Sequence, residues 1–313
     1  MKKKTSKNDA PLNPLEAEIA VTALHATGNF QVLRRINLEQ DIRLTRKTIS
    51  DPRIGICLDT ETTGLDYTTD KIIELGMVVF EYDPVRGEIS RILDRYSGFE
   101  DPGFPLSPEI TEITGITNEM LHGHRFDDDR VVQLANQASV VIAHNAAFDR
   151  KFVEARFPVF SRVAWACTVN QINWQAERIS TRVLEYLLFK FGWFIHAHRA
   201  LDDAEGLLGI LLEKLPSSGI QVFMSLLETH GKETSKISAV GAPYDKKDLL
   251  KQRGYRWSDG AQGGSKAWWI SVPTENEENE MAWLAGQVYP GGSTNSIEIS
   301  RVTPLDRFSI RER

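Results

Sequence analysis

A disulfide framework, a membrane span and a strongly basic surface are all missing from this 313-residue chain. Its 2 cysteines, Cys57 and Cys167, are too few for a framework, and their neighbours (ICL and WACT) point to reduced thiols packed in a core. No apolar stretch approaches the roughly 20 residues that cross a bilayer. Positive charge is not in excess, since 37 basic against 43 acidic residues leave a formal net charge of −6. That excludes coating of nucleic acid by bulk charge, but not an enzyme that handles nucleic acid through local basic surface and metal ions. The N-terminus MKKKTSKNDAPLNP carries the positive charge of a secretory leader without the apolar run that follows one. It reads as a flexible tail, with the cytoplasm as the expected compartment and no membrane partner. No internal repeat is evident. The length allows a sizeable core and two domains.

Against this plain background stands ICLDTETTGL, in which Asp59 and Glu61 follow the apolar run Ile54-Gly55-Ile56-Cys57-Leu58. Residues two apart on a strand project to the same face, so a buried strand here delivers two carboxylates side by side. Carboxylates that close resist ionising together. A bound cation relieves the repulsion, and hard oxygen ligands suit Mg²⁺ or Mn²⁺. The plainer alternative is a surface strand end whose acids are solvated. The short motif alone does not separate the two.

The chain reads as four regions. Residues 1–50 hold the tail and a helical segment. Within it, apolar positions recur at Leu15, Ile19 and Leu24, then at Val32, Leu33 and Ile36. That periodicity predicts two helices broken at Thr27-Gly28-Asn29, the second presenting Arg34, Arg35, Arg43 and Arg46 to solvent. Residues 51–216 alternate strands (54–58, 72–80, 89–96 and 140–143) with helices (128–138, 148–157, 181–191 and 203–215, stopped by Pro216). Early strands followed by strand–helix alternation predict an α/β domain with a mixed sheet and helices on both faces. Residues 217–234 are a linker and a helix over 220–229. Residues 235–313 form a small α+β accessory module and tail, with helices over 245–253 and 277–287 and strands over 236–241, 255–258, 266–271 and 297–302.

Two more clusters fall inside the second region. HNAAFD (144–149) ends the short strand and puts Asp149 on the first turn of the next helix. HRALDDA (198–204) starts another helix, with Asp203 on its first turn and Asp202 as the rival acid. Either aspartate alone is explained by the helix dipole. Together with Asp59 and Glu61 they make four acids, each at a strand end or helix start, with His198 five residues before the last.

That set resembles the DEDD superfamily of 3′→5′ exonucleases, in particular its histidine-bearing branch, to which proofreading epsilon-like subunits of bacterial replicative polymerases belong. D-x-E-T-T-G-L is Asp59 to Leu65, H-N-x-x-F-D is His144 to Asp149, and H-x(4)-D is His198 to Asp203. The tyrosine-bearing branch would have tyrosine at 199, where Arg199 stands. The resemblance covers roughly 53–216. ITEITGITNEMLHG (110–123), with Thr117 capping a short helix, and RVLEYLL (182–188) fit it as well.

The resemblance implies a ribonuclease H-like three-layer α/β domain with a mixed central sheet, plus an N-terminal helical segment and a small C-terminal α+β module. Asp59, Glu61, Asp149 and Asp203 would hold two divalent cations, Mg²⁺ or Mn²⁺, and His198 would act as general base toward the attacking water. Thr62, Thr63, Gly64 and Leu65 would meet the 3′-terminal nucleotide, Leu65 as a wedge beside its base. Asn145 and Phe148 are candidates to line that pocket, although Phe148 serves a core equally well; His144 is either structural or part of the site. The implied activity is release of nucleoside monophosphates from DNA, with single-stranded 3′ ends as the expected substrate. RNA as substrate and a catalytically idle nucleic-acid-binding subunit are the alternatives. A DNA polymerase is an admissible partner, but no partner motif is evident, and the choice between proofreading and repair stays open.

Between Tyr244 and Ile270, Lys246, Lys247, Lys251, Arg253, Arg256 and Lys266 interleave with Tyr244, Tyr255, Trp257, Trp268 and Trp269. A module this small needs aromatics inside. A hairpin of 254–257 and 266–269 is therefore expected to bury Trp257 and one of Trp268 and Trp269. The alternative is that the basic helix face of Lys246, Lys247 and Lys251 holds a single strand.

Overall fold

One strand, Ile72–Tyr82, is buried along its whole length, and the main sheet is built around it. The computed structural model describes residues 12–260, 264–289, 291 and 293–312; residues 1–11, most of the expected tail, lie outside these. In chain order, α1 (Pro14–Ala26) and the short β1 (Arg34–Arg35) precede β2 (Arg53–Thr62), β3 (Ile72–Tyr82) and β4 (Ile89–Phe99). Then come α2 (Pro108–Thr114), α3 (Asn118–Leu121), α4 (Asp128–Gln137), β5 (Val140–Ala143), α5 (Ala146–Arg156) and β6 (Ala164–Cys167). These are followed by α6 (Leu184–Phe191), β7 (Trp193–Phe194), α7 (Ala200–Leu211) and α8 (Val222–His230). The C-terminal module holds β8 (Thr234–Ala239), α9 (Lys247–Gln252), β9 (Arg256–Ser258), β10 (Ala267–Pro273), α10 (Glu277–Gln287) and β11 (Glu298–Val302).

The main sheet has the order β4-β3-β2-β5-β6. β3 runs antiparallel to both neighbours, while β2, β5 and β6 are parallel. Alternation along β2 divides the core. Cys57, Val78 and Phe80 pack under Leu187, Leu207 and Phe223 of α6, α7 and α8. Ile56, Leu58 and Met77 pack under Leu134, Phe152 and Val153 of α4 and α5. This is the three-layer ribonuclease H-like fold that the motifs led us to expect. Among the described residues no helix is long and apolar enough to cross a membrane.

The second N-terminal helix does not form. Residues 32–48 are instead largely extended, with β1 parallel to β7 and a single 3₁₀ turn at Leu38–Gln40. Ile36, Leu38 and Leu44 are buried in the α7-side core. Ile36 lies over Gly209 of α7, so closely that a Cβ there would sit 2.5 Å from its Cδ1. Burial by an extended chain crossing the small residues of α7 outweighs the helical periodicity of the sequence. α1 does form, from a capping box between Asn13 and Glu16, yet it buries none of its residues. β6 was not anticipated; at four residues (AWAC) it is too short to show a period.

The module's sheet has the order β11-β8-β10-β9, all antiparallel. α9 and α10 cover one face through Leu250 and Leu284, with Tyr255 and Trp268 packed among them. Trp257 corrects the core expectation. It pairs with Trp268 across the hairpin, but β9 is the edge strand and its indole stays 50% exposed.

Candidate active site

Asp59 and Glu61 leave β2 on the α7 side, as alternation requires. In register with Asp59 is Gly76 of β3. A Cβ at Gly76 would lie 2.2 Å from the carbonyl carbon of Ala200, so only glycine lets the start of α7 rest on the sheet. That approach brings in Asp203 from the first turn of α7. Ligand oxygens of Asp59, Glu61 and Asp203 then lie within 4.8 Å of one another. Asp202, the rival acid, turns away and faces Arg35 at 3.8 Å.

Asp149 comes from α5, on the other face of the sheet. It is only 3% exposed, and its Oδ1 accepts the Thr60 hydroxyl at 2.9 Å. Thr60 stands between Asp59 and Glu61 and points to the α5 side, so this bond ties the fourth acid to the strand that bears the first two. It stands outside the tight group of three, but the charge of Asp149 acts on both Asp59 and Glu61.

The electrostatics follow from that crowding. Burial, then the charges of Asp149, Asp203 and Glu61, hold the Asp59 carboxyl well above the usual carboxylate range. Burial and the charges of Asp203, Glu74 and Asp149 push Glu61 up to about 8. Burial takes Asp149 to about 7 despite the Thr60 hydroxyl. Asp203 rises to about 6, again by burial, against the pull of the Arg199 N–H, which it accepts at 3.0 Å, and of nearby His198. Such a cluster resists carrying its full negative charge alone. Its donors are hard oxygens, so the residues fit divalent cations of the Mg²⁺ class.

His198 is exposed and adopts a left-handed backbone conformation, φ +64°. Non-glycine residues in that region carry about 1–3 kcal/mol of strain and cluster at functional sites. Asn145, which opens α5, is likewise left-handed, φ +75°. Phe148 is half-buried, its ring 4.9 Å from Phe152. Leu65 is 86% exposed at the tip of its turn. The Thr62 and Thr63 hydroxyls serve the turn itself, donating to the Gly64 carbonyl at 2.6 Å and to Asp70 Oδ1 at 3.2 Å. Gly64 lies close under the Asp70 side chain, where a Cβ would come 2.5 Å from its carboxylate and push that carboxylate aside.

His144 is an anchor. Its Nε2 donates to the Arg182 carbonyl at 2.6 Å, leaving Nδ1 to accept the Thr168 hydroxyl at 2.8 Å. Burial depresses the ring to about 4, holding it neutral.

Two residues had escaped the sequence reading. Glu74, 1% exposed on β3, sits directly across from Glu61. It accepts the Arg199 guanidinium at 3.1 Å and the Ala200 N–H at 3.2 Å. Like charges opposite one another destabilise a sheet; here Arg199 offsets them, and the same carboxylate caps α7. The available signal was an acid inside an otherwise apolar strand, IIELGMVVF.

Residues 56–211 match the family described as exonuclease. DNA polymerase III PolC-type of Thermotoga maritima is 34% identical over 165 residues, 48% of this chain and 11% of that protein. The PolC-type polymerase of Halalkalibacterium halodurans is 40% identical over 167 residues, again 48% of this chain and 10% of that protein. The chain therefore spans about a tenth of the length of these curated relatives. A solved structure of exonuclease X in complex with 5′-overhanging duplex DNA is similar over 54% of this chain and 99% of that one, at 24% identity and TM-score 0.37.

Proposed function

Residues 56–211 make this chain a member of the exonuclease family, and on that premise we propose that it removes nucleoside monophosphates from the 3′ end of DNA with the help of two divalent cations. The observation that carries the proposal is the convergence of Asp59, Glu61 and Asp203 within 4.8 Å, with Asp149 bonded to Thr60 beside them. Asp59, Glu61, Asp149 and Asp203 would hold Mg²⁺ or Mn²⁺. Two such ions, when bound, offset the four carboxylates and polarise a phosphodiester and a water for in-line displacement.

The chain's own groups do the rest. His198, exposed beside Asp203, takes the proton of the attacking water as general base. Glu74 and Arg199 fix the start of α7, so that Asp203 keeps its distance from β2 and His198 its strained backbone. The turn from Thr62 to Leu65 offers main-chain groups and the exposed Leu65 side chain to the terminal nucleotide, and Asn145 and Phe148 at the start of α5 are the proposed remaining lining of that pocket. Thr62 and Thr63 contribute by shaping that turn.

The test is digestion of single- and double-stranded DNA and RNA, labelled at the 5′ end, with Mg²⁺ or Mn²⁺ and with an EDTA control. The expected result is stepwise shortening of DNA from the 3′ end with release of 5′-mononucleotides, abolished by EDTA. Shortening from the 5′ end, or internal cuts, would overturn the polarity; digestion of RNA alone would overturn the substrate.

A further inference from the structure

The sheet of the C-terminal module has two unlike faces. Ile237, Ala239 and Trp268 lie under α9 and α10. Residues paired across antiparallel strands share a face, and on the opposite one Trp269 is paired with Ser238 and with Arg256, while Lys236 is paired with Ser271. Among the described residues no helix of the module covers this second face, yet it is not apolar. The Lys236 ammonium lies 5.0 Å from the Trp269 ring centroid and the Arg256 guanidinium 5.6 Å from it. A half-buried indole is thus flanked by two cations.

This face looks across a cleft of about 530 Å³ at the exonuclease domain. The far wall includes Tyr67, from the turn after Leu65, together with Ala147 and Lys151 from α5. Ala147 and Lys151 belong to the helix that carries Asp149, on a different face from it, since residues two apart on a helix do not project the same way. Lys151 lies 5.8 Å over the Tyr67 ring. Lys232 adds a further exposed cation. Glu233, Glu275 and Glu312 also line the cleft, and the Lys236 ammonium donates to the Glu312 carbonyl at 3.0 Å. In a chain of net charge −6, the four cations Lys151, Lys232, Lys236 and Arg256, with the buried Arg307 behind them, against three acids in one cleft are a local reversal of sign.

The two walls are held in fixed relation. After β11 the chain returns to α5, where the fully buried Arg150 donates to the carbonyls of Leu305 at 2.5 Å and Arg307 at 2.6 Å. Arg307, itself buried, donates to the carbonyls of His230, at 3.0 Å, and Lys232. Arg311 pairs with Glu154 of α5. The helix that carries Asp149 is therefore strapped to the module.

We propose that this cleft binds the single strand of DNA leading to the 3′ end. Lys151, Lys232, Lys236 and Arg256 meet its phosphates, and Trp269 and Tyr67 stack on its bases. The inference rests on the activity proposed above and adds a binding track that the acid cluster does not contain. Cations interleaved with stackable rings are the chemistry that holds single strands without sequence preference.

The test compares wild type with Lys232→Ala/Lys236→Ala/Arg256→Ala and, separately, Trp269→Ala. Binding of a 5′-fluorescein thymidylate 20-mer is followed by anisotropy in EDTA across a salt series. KM for that 20-mer and for dithymidylate is then measured with Mg²⁺. Each phosphate contact on a single strand contributes about 0.7 to the slope of log affinity against log salt, so the triple variant should flatten it by about 2. Trp269→Ala should weaken binding about ten-fold at all salt concentrations. Wild-type KM should fall with length, and the triple variant should lose that dependence. A variant that keeps the wild-type salt slope and length dependence overturns the cleft while leaving the proposed activity standing. A 20-mer bound with the expected slope, lost in the variant, but never shortened supports the cleft and overturns the activity.

Discussion

At the scale of single residues, the chemistry depends on carboxylates brought closer than they tolerate by themselves. His198 is the one group of the set that is not an acid, and its proposed role is separable from cation binding. His198→Ala should lower kcat by about 10²–10⁴, the span of general base catalysis, with Mn²⁺ affinity unchanged. Equal loss of Mn²⁺ affinity would make it a ligand instead. His144 gives a second residue-level prediction. Its folded value of about 4 lies below the ordinary histidine value near 6.5. A depressed value means its contribution is present above 6.5 and lost as pH falls toward 4. Measured against His144→Gln at each pH, the wild-type urea midpoint should therefore fall between pH 7 and pH 4.5, whatever the acid cluster contributes to both proteins; a difference that does not change with pH would place this acid sensitivity elsewhere. The gathering of the acids was legible in the sequence because each motif is local, a few residues on one strand end or helix start. Glu74 and Arg199 were not read as a pair, since they meet only through the register of β2 on β3 and the seating of α7.

At the scale of elements, the site is the crossing of β2, β3 and α7, and Gly76 is what allows it. Gly76→Ala forces a methyl into the backbone of Ala200. Overpacking of this kind typically destabilises by about 1–3 kcal/mol, and here it also moves Asp203 away from Asp59 and Glu61. Urea unfolding and kcat should both suffer; an alanine variant with wild-type stability and turnover would refute the close approach. The longer strands and helices of the exonuclease domain were legible from periodicity, within a few residues at their ends; α2 and the four-residue β6 were not. The extended course of 32–48 was not. Its apolar residues recur as on a helix, but Ile36, Leu38 and Leu44 fill space on a helix that lies more than 150 residues further along the chain. Trp257 was misjudged for a related reason: pairing with Trp268 says nothing about which strand ends up at the edge.

At the scale of the whole molecule, the acid cluster sets a tension between folding and the proposed activity. Glu61, Asp149 and Asp203 titrate at about 8, 7 and 6, above the ordinary carboxylate range near 4. Raised values mean stability that is full at low pH and lost as pH climbs through these values. The metal-free protein should therefore lose thermal stability between about pH 5 and pH 8, and Mg²⁺ should restore it, since a ligand bound only by the folded state stabilises it. A melting temperature that is flat over that range and indifferent to Mg²⁺ would contradict this. The cleft between the module and α5, and the strap of buried arginines that fixes it, were out of reach of the sequence. Arg150 looks like a surface residue until the chain after β11, which carries Arg307, folds back over it.

The most direct measurement is Mn²⁺ titration of the metal-free protein, wild type beside Asp59→Asn and Asp203→Asn, with unfolding followed in parallel. Two Mn²⁺ ions should bind per wild-type chain. Each asparagine variant should bind markedly more weakly and, relieved of one crowded charge, be at least as stable as wild type at pH 8 without metal. Mn²⁺ bound equally well by all three proteins would contradict the claim that these side chains share the cations.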